Sequence, residues 1–108
     1  MRRGDVHWVR FPSPAGTRPA VLVNRDEAYS VKTRVTVVPV TRTVRGIPTE
    51  VRLGPSDGLP KVGVANADEI VTVPRELLQE RVATLSRTKL AELDEALRFA
   101  LGLDRPAR

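Results

Sequence analysis

The clear helical periodicity in this chain lies at its end. Behind Ser86, the leucines Leu90, Leu93, Leu97 and Leu101 recur at helical spacing, and Ala96 and Ala100 widen the stripe. Lys89, Glu92, Glu95 and Arg98 occupy the opposite face. Ser86 suits an N-cap, because its hydroxyl can accept a backbone N–H of the first turn, and Gly102 suits a stop. Residues 1–73 read instead as short strands punctuated by Pro and Gly. Strands first and helix last points to an antiparallel arrangement, since a parallel sheet needs a crossover between successive strands. The expected fold class is therefore α+β, mainly β: a small, strongly twisted antiparallel sheet or partial barrel with the last helix packed against it. Hydrophobic residues make up 41% of the 108 and aromatics only 4%, which suits one aliphatic core and a single domain over 1–108.

The strands can be placed along the chain. Val6–Phe11 and the continuously apolar Pro19–Val23 come first, the latter patterned for burial on both faces. Arg34–Thr41 is Val-rich and reads as the central strand, with Pro39 near its end, where a missing N–H costs least. An exposed basic loop follows at 42–48. Thr49–Leu53 alternates and should have one wet face. A turn is expected at Gly54–Gly58, then short strands over Val62–Ala65 and Glu69–Val73. Pro74–Glu80 suits a short helix with proline in its first turn, and Val82–Leu85 a brief strand. The tail Asp104–Arg108 is expected to fray.

Several function classes drop out on composition. The chain has no cysteine, so disulfides, thiolate zinc sites and a Cys nucleophile are excluded. The longest unbroken apolar run, Ala20–Val23, falls far short of the ~20 residues of a membrane helix. The basic start has no apolar segment behind it, so no secretory signal is expected and the cytoplasm is the default. One His and no ligand-spaced acidic cluster leave no expected metal or cofactor. Gly58 and Gly63 have the Walker interval, but Val64 stands where that motif needs Lys.

The charge distribution is more informative than the net +5. Residues 1–52 hold ten basic and four acidic side chains, +6; residues 53–108 hold eight and nine, −1. Fifteen of the 18 basic residues are Arg, whose planar fork matches phosphate and stacks on bases. A basic half of this kind suggests a polyanion partner; the bland alternative is an Arg-rich codon bias. A metal-free, Cys-free chain can still cleave RNA, because the substrate brings its own nucleophile, the 2′-OH. The protein then needs only proton transfer and donors for a highly charged phosphorane-like state.

A resemblance gives these features a frame. Arg3-Gly4-Asp5-Val6, Gly16-Thr17-Arg18-Pro19-Ala20-Val21-Leu22-Val23, Val37-Val38-Pro39-Val40-Thr41, Ile47-Pro48-Thr49-Glu50-Val51, Asp57-Gly58-Leu59 and Ala67-Asp68-Glu69-Ile70-Val71-Thr72-Val73 resemble, in order, segments of the MazF/PemK/Kid family of toxins. The resemblance runs over roughly residues 3–103. It implies an SH3-like barrel with a C-terminal helix, a homodimer, and the toxin of a type II toxin–antitoxin pair. It also implies metal-independent cleavage of single-stranded RNA, leaving a 2′,3′-cyclic phosphate and a 5′-hydroxyl, and neutralisation by a cognate acidic antitoxin.

By the same resemblance, Arg18 matches the family's catalytic Arg, Thr41 its strand-end Ser/Thr, and Asp68 an acidic position that some relatives use. The bland counterparts are a surface Arg, a β-branched strand residue and a turn carboxylate. Arg42 and Arg45 in the basic loop, Thr17 and His7 are the further RNA-contact candidates; His7 reads first as a structural histidine and Trp8 as core or interface. Two departures stand out. Asn66 replaces a basic residue of one family branch, and the short loop 12–17 offers no carboxylate to act as base. Two rival readings keep the architecture without catalysis: a CcdB-like poison binding gyrase, and an SH3-like RNA-binding module.

Overall fold

The Val-rich strand at the middle of the chain organises the rest. In a computed structural model, which describes residues 1–103, Arg34–Thr41 forms an eight-residue strand that touches three others. The strands in chain order are β1 (Asp5–Arg10), β2 (Thr17–Leu22), β3 (Arg34–Thr41), β4 (Glu50–Leu53), β5 (Gly63–Asn66), β6 (Val71–Pro74) and β7 (Leu78–Thr84), followed by the helix α1 (Arg87–Ala100). All pairings are antiparallel, in the order β4-β5-β3-β2-β1-β7 with β6 also against β3. This is the expected α+β, mainly β architecture.

Pro39 marks where β3 changes neighbours. One edge of β3 runs along β2 from Val37 to Pro39. The other pairs with β6 through Val37 and with β5 from Val40 onward, so Val38 and Pro39 fall in the gap between those two partners. A residue lacking an N–H is cheapest where the ladder is interrupted. By splitting its edge between two partners, β3 lets the sheet curl.

Alternation along the strands feeds two apolar clusters. Val38 and Val40 of β3 join Val6, Val21 and Leu53 beneath the helix. Val35 and Val37 of the same strand point the other way, with Val9, Leu22 and Tyr29. β2 is buried on both faces as its composition predicts, Val21 in the first cluster and Ala20 and Leu22 in the second. The helix is capped as expected: the Ser86 hydroxyl accepts the Lys89 N–H at 3.1 Å. Leu93, Ala96 and Leu97 are buried against the sheet. The stripe stops there. Leu101 lies beyond the last turn and is exposed, because the chain turns away at Gly102, whose φ is +65°.

The expected helix over Pro74–Glu80 is a correction. Only Arg75–Leu77 makes one 3-10 turn, and the chain then enters β7, which absorbs and lengthens the brief strand placed at Val82–Leu85. Pro74 ends β6 and stands just before that turn, not within it. The exposed edge of β1 supplies backbone partners over Asp5–Val9, and Leu77 and Leu78 pack on the second cluster, so pairing outcompetes helix propagation. Between β2 and β3, the polar stretch Asn24–Thr33 contains a 3-10 turn over Asp26–Ser30 that buries Tyr29. The tail expected to fray, Asp104–Arg108, lies outside the described residues.

Candidate active site

The starts of β2 and β5 and the end of β3 meet at one rim of the sheet. Two clefts open there, of about 510 Å³ and 380 Å³, and both are lined by Ala15, Arg18, Thr41 and Thr43. Arg18 and Thr41 therefore stand at the junction between two hollows.

Each is held by its local structure. Arg18 is the second residue of β2, opposite Val9 of β1, and its Nη2 donates to the Ala15 carbonyl at 3.0 Å. That carbonyl belongs to the tight loop after β1, where the Ala15 N–H bonds to Pro12 O and the Phe11 N–H to Gly16 O, with Gly16 at φ +70°. The guanidinium is tethered by one nitrogen, leaving its other donors for a ligand. Thr41 ends β3, and its hydroxyl oxygen accepts the Thr43 N–H at 3.3 Å, leaving the hydroxyl proton to donate. Gly63 passes so close behind Thr41 that a Cβ there would lie 2.7 Å from the Thr41 carbonyl oxygen.

The first cleft adds Trp8, Thr17, Arg42 and Lys61, and the second adds Phe11, Arg45, Asn66 and Glu69. Thr17, Arg42 and Arg45 thus gather at the rim with Arg18 and Thr41. His7 and Asp68 do not line either cleft. His7 lies on β1 facing β7, where its Nδ1 donates to the Gln79 carbonyl at 2.9 Å. Asp68 is exposed on the 3-10 turn Ala67–Glu69, and its neighbours Asn66 and Glu69 face the cleft instead. An extended strand over Glu69–Val73 would send Asp68 and Glu69 to opposite sides; the turn delays that strand to Val71. Sequence reasoning passed over Lys61, and it read Trp8 as core or interface. Trp8 is half-buried as cleft wall and belongs to neither apolar cluster.

The basic loop has its own fastener. The Glu50 carboxylate accepts the N–H groups of Arg45 (3.0 Å), Gly46 (2.8 Å) and Ile47 (3.4 Å). Desolvation pushes its carboxyl up, but these three bonds and the Arg45 charge together outweigh it and hold the pKa below the ordinary range. The stapling charge is thus fully present above the ordinary glutamate range and is lost as pH falls through the lowered value. The Arg45 and Gly46 amide resonances should titrate together, with a midpoint below that of a free glutamate. Glu50→Gln should remove this titration. A titration at the ordinary glutamate position would contradict the staple.

Among the described residues, no group of three or more His, Cys, Asp or Glu could hold a metal ion. No helix among them is long and apolar enough to cross a membrane.

A family model for the PemK-like, MazF-like toxin of type II toxin–antitoxin systems matches residues 2–101. The chain belongs to this family. It is 34% identical to a probable endoribonuclease MazF5 of Mycobacterium tuberculosis over 104 residues, covering 95% of this chain and 94% of that one. The Mycobacterium tuberculosis toxin MazF-mt6 superposes with a TM-score of 0.85 at 31% identity, covering 93% of this chain and 98% of that chain. A mycobacterial endoribonuclease solved in complex with its cognate antitoxin superposes at 0.84 with 31% identity, covering 98% and 99%. The PemK/MazF-like fold thus extends over nearly all of the chain, both clefts included.

Proposed function

We propose that this chain is the toxin of a type II toxin–antitoxin pair and acts as a sequence-specific, metal-independent endoribonuclease on single-stranded RNA. The observation that carries the reading is the meeting of Arg18 and Thr41 at the junction of two clefts, where a phosphate would have one nucleotide on either side. Arg18 offers permanently charged donors and Thr41 a hydroxyl donor to the non-bridging oxygens. Their hold tightens as negative charge builds on the phosphorane-like state. The substrate's 2′-OH forms the new P–O bond and gives up its proton. The bond to the 5′-oxygen breaks and that oxygen takes a proton up, leaving a 2′,3′-cyclic phosphate and a 5′-hydroxyl. Arg42, Arg45 and Lys61 supply the surrounding positive field. Asp68 and His7, outside the clefts, have no place in this contact.

The reading takes residues 1–108 as one toxin domain, paired as a homodimer, working in the cytoplasm and neutralised by an acidic antitoxin drawn to the same basic rim. A CcdB-like gyrase poison and a non-catalytic RNA-binding module are not favoured. Neither needs Arg18 and Thr41 brought together, and the curated relatives carry the name endoribonuclease.

The test is incubation of the protein with a mixed-sequence RNA in excess EDTA, followed by mapping of the new ends. Cuts at one short motif with 5′-hydroxyl ends are expected. RNA left intact across varied sequences and salt concentrations would overturn the reading.

A further inference from the structure

Attack by a 2′-OH on phosphorus needs an acceptor for the hydroxyl proton, placed within reach of the reacting atoms. Around the two clefts the charged side chains are almost all cations: Arg18, Arg42 and Lys61 on the first, Arg18 and Arg45 on the second. A protonated guanidinium or ammonium has no lone pair to offer. Among the described residues, the one carboxylate lining either cleft is Glu69, in the second, which it shares with Arg18 and Thr41. The other candidates stand elsewhere. His7 faces β7, Asp68 lines neither cleft, and the loop 12–17 carries no carboxylate.

Glu69 is free to accept. Among the described residues it makes no hydrogen bond or ion pair, so both of its oxygens keep their lone pairs open. Its backbone, in contrast, is pinned. Glu69 closes the 3-10 turn Ala67–Glu69, where the Ala67 N–H donates to the Thr49 carbonyl at 2.7 Å and the Ile70 N–H to the Ala67 carbonyl at 3.3 Å. Oδ1 of Asn66 accepts the Asp68 N–H at 3.0 Å and the Thr49 hydroxyl at 2.9 Å. Asn66 is only 2% exposed, so the turn rests on a buried anchor. A proton acceptor mounted on a fixed backbone is preorganised for its task. The exposure of the Glu69 side chain lets it pass the proton on to solvent.

From this arrangement we infer that Glu69 is the general base of the cleavage reaction. As the 2′-oxygen bonds to phosphorus, its proton passes to the Glu69 carboxylate. The bond to the 5′-oxygen breaks, that oxygen takes a proton from water, and Glu69 releases its own to solvent. The inference rests on the RNA-cleavage reading above and deepens it by naming where the 2′-OH proton goes.

The experiment measures single-turnover cleavage of an RNA carrying the mapped motif, with the full chain in excess, across a range of pH. Binding is read separately with the same RNA carrying one 2′-deoxy sugar at the cut, which lacks the nucleophile. Glu69→Gln removes the proton acceptor at nearly constant size, on an exposed side chain with no partner to lose. It should lower cleavage about a hundred-fold or more at neutral pH. The deoxy analogue should bind as tightly or more tightly, because a negative charge beside the phosphates is gone. The deficit should narrow as pH rises and hydroxide takes over the proton; Arg18 and Arg45, which line the same cleft, stay charged throughout. Glu69→Asp should recover part of the rate. Asp68→Asn alters the neighbouring carboxylate, outside both clefts, and should follow the wild-type profile. A wild-type or faster rate in Glu69→Gln, the result that charge repulsion alone would give, would overturn the inference. So would a loss matched by weaker binding of the analogue, which would make Glu69 a binding residue, or a deficit that stays constant with pH. If the wild-type protein cuts no RNA, the cleavage reading itself fails; cutting that does not depend on Glu69 sinks only the general-base assignment.

Discussion

Arg18→Ala is expected to lower RNA cleavage by about a hundred- to a thousand-fold, the usual effect of removing one preorganised donor to a developing oxyanion. The fold should survive. Arg18 is at the start of β2, half-buried, and belongs to neither apolar cluster. Among the described residues its side chain makes one hydrogen bond, to the Ala15 carbonyl in the neighbouring loop. Circular dichroism and the thermal midpoint should therefore stay close to those of the wild type while single-turnover cleavage collapses. Arg18→Lys separates charge from geometry. It keeps the positive charge but loses the fork that can bond Ala15 O and a phosphate oxygen together, so it should recover only a minor part of the rate. Cleavage at the wild-type rate in Arg18→Ala would remove this residue from the site.

Gly63→Ala should damage stability and activity together. The added methyl would sit 2.7 Å from the Thr41 carbonyl oxygen and 3.1 Å from Cγ1 of Val40. A side chain could rotate away, but the carbonyl belongs to β3 and is fixed in its pairing, where Thr41 faces Val64 and Val40 faces Ala65. β5 must shift away from β3. Overpacking of this sort costs about 1–3 kcal/mol, at about 4–8 °C in Tm per kcal/mol for a domain near this size. Because Thr41 lies on the displaced strand end, cleavage should fall even at temperatures where the variant is fully folded. Calorimetry and cleavage at low temperature check the two halves separately. A wild-type Tm would show that the strands part at no cost, against the contact geometry.

The strands were legible because their residues alternate, and the helix because its leucines recur. β3 appears with the bounds its valines predicted, and Ser86 caps the helix it was expected to cap. What local pattern could not supply was competition from distant chain. The 3-10 turn at Arg75–Leu77 gives way to β7 because β1, some seventy residues earlier, has an edge to fill. The same limit applies at the rim. Arg18, Thr41, Thr17, Arg42 and Arg45 stand out as types of residue that suit phosphate, and they gather as such. Asn66 looks like an ordinary polar residue at a strand end until Thr49, far from it in sequence, is seen to fix its oxygen. Glu69 and Asp68 differ only in which way a three-residue turn points them.

The β1–β7 pairing also bears on aggregation. It joins the first strand of the chain to the last, and two further bonds close the seam, Leu85 N–H to the Gly4 carbonyl at 3.0 Å and the Thr84 hydroxyl to Asp5 Oδ1 at 2.9 Å. Such long-range contacts form late and fold slowly. A chain ending before Leu78 holds the residues of β1, β2 and β3 but has nothing to pair with the outer edge of Asp5–Val9. An open strand edge is a template for sticking to other chains. A chain shortened before Leu78 should therefore aggregate more readily than one that carries β7 to cover that edge.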